Sequence, residues 1–307
     1  MARKPCAPGA IRGIIPPLVT PFADDETIDE AALRLQVRHM MSCGVHGIVV
    51  GGSAGEGFTL TLDELRRIVA VTAEEVNGSL PLIPGIIVNS TREAVLRAKA
   101  LADLGVDALQ ITPPHYIFRT DDDAMLQHFR DIQAEVGLPI LIYNVVPWNY
   151  LSPALLLRIM REVPGVIGVK QSAGDLKLLS ELVTAARPDE RILGAIDALV
   201  YPCLAVGAHG MISQILAALP RPCVQMWDLV EQGDHRAALD LHKRMLQVWN
   251  AISSDNRVAV TKYTLSLQGV PTGRTRRPLT PASERQKAAV RAVIRLVLND
   301  DELAAAA

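Results

Sequence analysis

Four side chains carry most of the chemistry this sequence can offer: Lys170, Tyr143, Ser53 and Tyr116. Lys170 ends the run G-V-I-G-V-K at 165–170, where Val166, Ile167 and Val169 are β-branched and apolar. Such a run reads as a short buried strand. Burial penalises an ammonium and favours the neutral, nucleophilic amine, so a lysine at the exit of a buried strand either snorkels to solvent or does chemistry. Tyr143 ends a second apolar run, 139–143, and Ser53 lies in the glycine-rich stretch G-G-S-A-G-E-G at 51–57. Successive backbone N–H groups in such a turn cradle a carboxylate or phosphate. An amine, a phenol and an anion cradle, brought together, suit Schiff-base chemistry on a 2-oxo acid. Taken singly, Tyr143 is a packed amphipathic tyrosine and the glycine turn an ordinary loop.

The elements that must position these groups alternate along the chain. Apolar, β-branched runs at 14–19, 47–51, 81–87, 108–112, 139–143, 165–170, 191–194 and 210–213 predict eight strands. Between them lie helical patterns. Asp29 caps the first, which runs to about Cys43, and the next spans 62–76. Ser90 begins a helix ending near 104–105, and Thr120 caps one whose first turn holds Asp121, Asp122 and Asp123. That triplet complements the helix dipole and is not a metal site. Ser152 opens a helix with Pro153 at its first position, and others start near Asp175 and cover 198–206. Eight strand-then-helix units predict an α/β fold, a (β/α)8 TIM barrel. The stretch 16–22 lacks the glycine loop that an open, doubly wound sheet places after its first strand. Helical segments near 224–232, 235–252, 258–267 and 281–298 follow with no strand between them. The expected division is a catalytic barrel over 1–233 and a small C-terminal helical extension over 234–307, packed on it, with the last residues, 304–307, frayed. A barrel of this kind places its active site at the C-terminal strand ends, where Lys170, Tyr143, the Ser53 turn and G-M-I-S at 210–213 would meet.

Composition narrows the function classes. Apolar residues make up 49% of the 307, enough for a large core and against disorder. A net charge of −2 gives no electrostatic footprint for nucleic acid or an anionic membrane. The one basic cluster, Arg274, Arg276 and Arg277, reads as a solvated loop. Cys6, Cys43, Cys203 and Cys223 are scattered without disulfide or zinc spacing and fit a reducing compartment. The opening M-A-R-K-P-C has no apolar targeting core and no run reaches membrane-spanning length, so a cytoplasmic location is expected. His235 and His242 share a helical face without an acidic or cysteine partner, and His209 precedes the last strand; all three read as packing residues. Glu56 is the sole acid in a strand-end motif, too little for a paired-carboxylate glycosidase.

With these motifs in order, the chain resembles the dihydrodipicolinate synthase / N-acetylneuraminate lyase family of class I pyruvate-dependent aldolases. The resemblance runs from about Gly13 to Leu279 and rests on P-P-L-V-T-P-F at 16–22, G-S-A-G-E at 52–56, Y-N-V-V-P at 143–147, G-V-K at 168–170, G-M-I-S at 210–213 and G-R-T-R-R-P-L at 273–279. It implies that Lys170 forms an imine with pyruvate or another 2-oxo acid, with Tyr143 as acid/base beside it. Ser53 would take the hydroxyl position of the proton relay, and the N–H groups of Ser53 and Ala54 would bind the substrate carboxylate. Tyr116, in P-P-H-Y, would be the relay tyrosine supplied across a subunit interface, and Ile212 would present a carbonyl to the bound keto acid. It further implies a homotetramer, a dimer of dimers, acting on a small-molecule 2-oxo acid and an aldehyde without metal or organic cofactor.

Two departures bear on specificity. Ala54 stands where the family motif has a second hydroxyl residue. In the synthase proper, an arginine shortly after the Y-N-V-P motif grips the second substrate's carboxylate; here Trp148, Asn149 and Tyr150 occupy that region. Losing that charge-assisted contact removes about 1.5–3 kcal/mol, and Asn149 is the residue expected to meet the second substrate instead. The family's lysine-feedback site is altered too: His115 stands where a tyrosine is usual, while Asn89 and Glu93 fit. Within the family, the resemblance leaves open a sugar-acid aldolase, a sialic-acid-type lyase, dihydrodipicolinate synthase proper and a 2-oxo-acid dehydratase; a 2-oxo-acid-binding protein on a retired scaffold is the reading from outside enzymology.

Overall fold

A computed structural model describes residues 5–303; the expected fraying of 304–307 lies outside the described residues. The elements run in the order β1 (Gly13–Ile14), α1 (Glu30–Ser42), β2 (Ile48–Val50), α2 (Leu62–Val76), β3 (Leu82–Ile86) and α3 (Thr91–Leu101). Then come β4 (Leu109–Ile111), α4 (Asp122–Val136), β5 (Ile140–Asn144), α5 (Pro153–Glu162), β6 (Val166–Gln171), α6 (Leu176–Ala185), β7 (Arg191–Gly194), α7 (Val200–Ala205) and β8 (Gly210–Met211). Five helices finish the chain: α8 (Gln214–Ala218), α9 (Pro220–Glu231), α10 (His235–Ile252), α11 (Arg257–Ser266) and α12 (Glu284–Val293).

All strands pair in parallel, in sequence order from β2 to β8, and β1 pairs with β8 through Gly13↔Gly210 and Ile14↔Met211. The gap between β1 and β2 is bridged by Pro17↔Val49 and by hydrogen bonds from His46 N to Ile14 O and from Val49 N to Pro16 O. The eight strand units therefore close into the expected (β/α)8 barrel. Inside it, Ile15, Val49, Ile83, Ala108, Leu141, Leu193 and Ile212 form a small apolar core, separate from the larger one between strands and helices. Each strand thus buries both faces, and so the runs read as continuous apolar stretches.

The helix starts follow their capping chemistry. Asp29, Ser90 and Ser152 accept N–H bonds from Ala32, Glu93 and Leu155, as expected. The helix assigned to Thr120 is capped instead by Asp121, whose carboxylate accepts the Ala124 N–H; a charged cap one residue on outcompetes the threonine. Asp123, two residues on, pairs with Arg158 at 2.8 Å, so two of the three acids are engaged in helix and surface contacts. The first strand is shorter than expected, because Pro16 and Pro17 lack the N–H that would extend the ladder.

The basic cluster is solvated only in part: Arg277 is exposed, whereas the Arg276 side chain is largely buried. Arg276 pairs with Glu64 at 2.6 Å, Arg277 with Glu26 at 2.6 Å and Arg274 with Asp24 at 3.7 Å, so the stretch after α11 is tied to α2 and to the acidic segment after the first strand. His209 Nδ1 accepts the Ile192 N–H at 3.0 Å, and Tyr201 lies against both His235 and His242, which agrees with packing roles. No helix is long and apolar enough to cross a membrane, among the described residues.

Candidate active site

Lys170 and Tyr143 are directly paired across β5 and β6, so their side chains leave the sheet on the same side. The close approach of β6 to β7 depends on Gly168, where a Cβ would stand 2.0 Å from the Arg191 carbonyl oxygen. Lys170 is only 4% exposed, and its Nζ lies 3.9 Å from the centroid of the Tyr143 ring. The Tyr143 hydroxyl donates to Ser53 Oγ at 3.0 Å, linking residues 90 apart in sequence. Amine, phenol and serine hydroxyl thus form one line across the barrel mouth.

The Ser53 turn is built from backbone. Gly55 and Gly57 both donate N–H bonds to Gly52 O, at 3.0 Å each, and Glu56 N donates to Ser53 O at 3.1 Å. Thr20, from the P-P-L-V-T-P-F stretch, donates its hydroxyl to Gly55 O at 2.6 Å. Gly57 must be glycine, since a Cβ there would sit 1.8 Å from Gly51 O. The N–H groups of Ser53 and Ala54 donate to no acceptor among the described residues, and both residues face the cavity. Unspent donors in a tight turn make an anion site.

Glu56 anchors this turn from below. Fully buried and in a left-handed conformation (φ 55°), it accepts from Lys262 Nζ at 2.7 Å and from Arg276 N–H at 2.8 Å. Lys262 also donates to Arg274 O and lies 5.0 Å from the Phe22 ring centroid. Burial holds Lys262 below the usual lysine value despite Glu56, which pulls the other way. The partner of Glu56 is 206 residues distant, so no local pattern announces it.

The cavity between these groups has a volume of about 430 Å³. Of the expected residues, Lys170, Tyr143, Ser53, Ala54 and Ile212 line it. Asn149 does not. Its Nδ2 donates to Pro114 O at 2.5 Å and so holds the loop after β4, its Oδ1 is buried without a partner, and Tyr150 lines the cavity instead. The Tyr150 hydroxyl donates to Ser172 O at 3.3 Å, and burial followed by proximity to Tyr143 pushes it above the usual tyrosine value. Tyr116 is also outside the cavity of its own chain, 75% exposed on a loop where Ile117, Phe118 and the neighbouring Trp148 are exposed as well. Trp148 donates its indole N–H to His115 O at 2.9 Å, which joins the two loops.

Several lining residues escape sequence reasoning: Ser172, Asp197, Trp249, Ser253 and Arg257. They come from the ends of β6 and β7 and from α10 and α11, in no recognisable motif. Asp197 accepts the Ile215 N–H at 2.8 Å; burial pushes its carboxyl above the usual range, with that N–H bond, Arg257 and Lys170 opposing.

The pattern of the dihydrodipicolinate synthetase family matches residues 10–296. The chain belongs to this family. A 4-hydroxy-tetrahydrodipicolinate synthase of Methanopyrus kandleri is 34% identical over 284 residues, covering 92% of this chain and 94% of that one. Dihydrodipicolinate synthase from Aquifex aeolicus superposes with a TM-score of 0.89 at 25% identity, over 96% of this chain and all of that one. N-acetylneuraminate lyase from Fusobacterium nucleatum does so with a TM-score of 0.87 at 26% identity, over 94% of this chain and all of that one. Membership of the dihydrodipicolinate synthetase family agrees with the barrel and with the family lyase that the motifs imply. Both synthases and lyases are among these relatives, so the family alone leaves the second substrate open.

Proposed function

We propose that this protein is a lysine-imine lyase that makes or cleaves a C–C bond between pyruvate, or a related 2-oxo acid, and an aldehyde. The observation that carries it is the Lys170–Tyr143–Ser53 line beside two unspent N–H donors. The Lys170 amine adds to the C2 carbonyl of pyruvate; Tyr143 gives its hydroxyl proton to the departing oxygen, and loss of water leaves the protonated imine and a deprotonated Tyr143. The substrate carboxylate rests on the N–H groups of Ser53 and Ala54, near the carbonyl of Ile212. Tyr143 removes a proton from C3, and the electron pair of that C–H bond makes the enamine. The enamine carbon attacks the aldehyde, the aldehyde oxygen takes a proton back from Tyr143, and water hydrolyses the imine to free Lys170. Read backwards, the same steps cleave a 2-oxo-4-hydroxy acid. Residues 1–233 form the catalytic barrel, and the extension at 234–307 completes the cavity wall through Trp249, Ser253 and Arg257.

Tyr116 enters this scheme from a second copy of the chain, in a homotetramer, extending the relay through Ser53. Its exposure beside Ile117, Phe118 and Trp148 supports this, because four neighbouring exposed apolar or aromatic side chains favour burial against a partner. The buried free thiols of Cys43, Cys203 and Cys223 fit a cytoplasmic setting.

Borohydride reduction in the presence of pyruvate tests the scheme: the reduced adduct should appear on Lys170 and vanish in Lys170→Met. No adduct on Lys170 refutes it and favours a protein that only binds 2-oxo acids. The second reading, favoured by the names of the relatives, is 4-hydroxy-tetrahydrodipicolinate synthesis from pyruvate and aspartate semialdehyde.

A further inference from the structure

Lys170 faces Tyr143 because of an irregularity lower in the ladder. β5 and β6 pair as Ile140↔Val166 and then as Leu141↔Gly168, so β6 holds one residue, Ile167, with no opposite number. Such a bulge re-aims the side chains above it. Pairing carried upward from Ile140↔Val166 without the bulge would set Tyr143 against Val169 and Lys170 against Asn144. Residues opposed across a ladder share a face, so Lys170 would then leave the sheet on the side away from Tyr143 and the mouth.

The observed ladder ends instead at Asn144↔Gln171, both buried on the face behind Tyr143 and Lys170. Asn144 Oδ1 accepts the Leu151 N–H at 2.9 Å, which turns its Nδ2 to Leu151 O and to Gln171 Oε1, each at 3.1 Å. Gln171 Oε1 also accepts the Ala173 N–H at 3.3 Å. Both approaches bring donors, so only the oxygen of Gln171 fits there, and its Nε2 stays buried without a partner. In the bulge-free register Asn144 would meet Lys170 in place of Gln171. An ammonium offers Asn144 Nδ2 no acceptor and would be buried unpaired, so that register is disfavoured twice over.

Resting on the imine reading, we infer that Asn144 and Gln171 are positioning residues. Their side-chain bond pins the register above the bulge and so holds the Lys170 amine against the Tyr143 ring. Neither lines the cavity. The same bonds hold Leu151 and Ala173, which directly follow the cavity residues Tyr150 and Ser172, so the loops after β5 and β6 are set by one clasp.

The test needs pyruvate alone. In D2O, Tyr143 takes a proton from C3 of the Lys170 imine and the enamine is reprotonated with a deuteron, so NMR follows the loss of the methyl signal. Exchange kcat and KM are counted per folded molecule, with the folded fraction taken from circular dichroism. Gln171→Met keeps the length of the side chain and removes the accepting oxygen. Its exchange kcat should fall about 10- to 100-fold, the scale of a misplaced reacting group. KM should change less, because the Ser53 turn is untouched. Gln171→Glu keeps an oxygen facing Asn144 and Ala173 and should recover most of that rate. Asn144→Ser removes the bond from the other side and is assayed in place of Gln171→Met if that variant does not fold. A merely structural role would lower the folded fraction and leave the kcat of each folded molecule unchanged. An exchange kcat within about twofold of wild type, or Gln171→Glu no faster than Gln171→Met, overturns the pin. Borohydride trapping of pyruvate on the wild-type protein is run alongside. Trapping with either of those outcomes removes the pin alone, whereas absence of trapping removes the imine reading and the positioning role with it.

Discussion

Replacing Lys262 by methionine should destabilise the protein far more than its distance from the reacting atoms suggests. The substitution removes a donor 2.7 Å from Glu56 and leaves a fully buried carboxylate with the Arg276 N–H as its remaining partner. Breaking one side of a buried ion pair costs about 3–5 kcal/mol. The pair is not itself a strong net attraction, since burial holds Lys262 below the usual lysine value even with Glu56 beside it. Removing both charges should therefore be better tolerated. In Glu56→Gln/Lys262→Met the amide still accepts from Arg276, and at least about 2 kcal/mol of the loss should return. Denaturant unfolding of the two single variants, the double variant and wild type gives the coupling energy directly. Glu56 also sets the left-handed bend of the Ser53 turn, so Lys262→Met should lower kcat/KM for pyruvate beyond any loss of folded protein. A single variant within about 1 kcal/mol of wild type, or a double variant no better than the single, would refute this account of the turn.

Further outcomes follow from the same geometry. Tyr143→Phe keeps the ring over Lys170 but removes the hydroxyl, so the borohydride adduct should still form while kcat falls about 10²- to 10⁴-fold in a condensation assay. Gly168→Ala would push a Cβ to 2.0 Å from Arg191 O and should part β6 from β7, seen as a lost cooperative unfolding transition or insoluble protein. Burial lowers His128 from the ordinary histidine value of 6.5 to about 4. Between those values the unfolded chain binds a proton that the folded one refuses, so stability present above pH 6.5 is lost as pH falls towards 4, by up to about 3 kcal/mol. His128→Gln should flatten the unfolding free energy across that window, and an unchanged slope would show that His128 is not its source.

Much of the fold is legible in the sequence because its signals are local. β-branched runs, helical spacing and caps such as Asp29, Ser90 and Ser152 depend on neighbours a few residues apart. Where two local signals compete, sequence reasoning slips, as with Thr120 beside the stronger cap Asp121. Lys170, Tyr143 and Ser53 are legible for a related reason: a barrel strand delivers the residues at and just beyond its C-terminal end to the mouth, whatever the rest of the chain does. Their types and order are what point to the imine chemistry proposed above. The side-chain directions in the connecting loops were decided by tertiary structure alone. Asn149 turned from the cavity because the Pro114 carbonyl lies within its reach, and Glu56 found Lys262 because α11 packs under the turn. Arg257 reaches the cavity from the helical extension and lines it together with Asp197, Ser172 and Ser213. Contacts between segments this far apart depend on how helices and loops pack around the closed sheet. No residue's own neighbours encode that packing, so the sequence marks out Lys170 as the candidate imine-forming lysine, and the folded chain decides which side chains surround it.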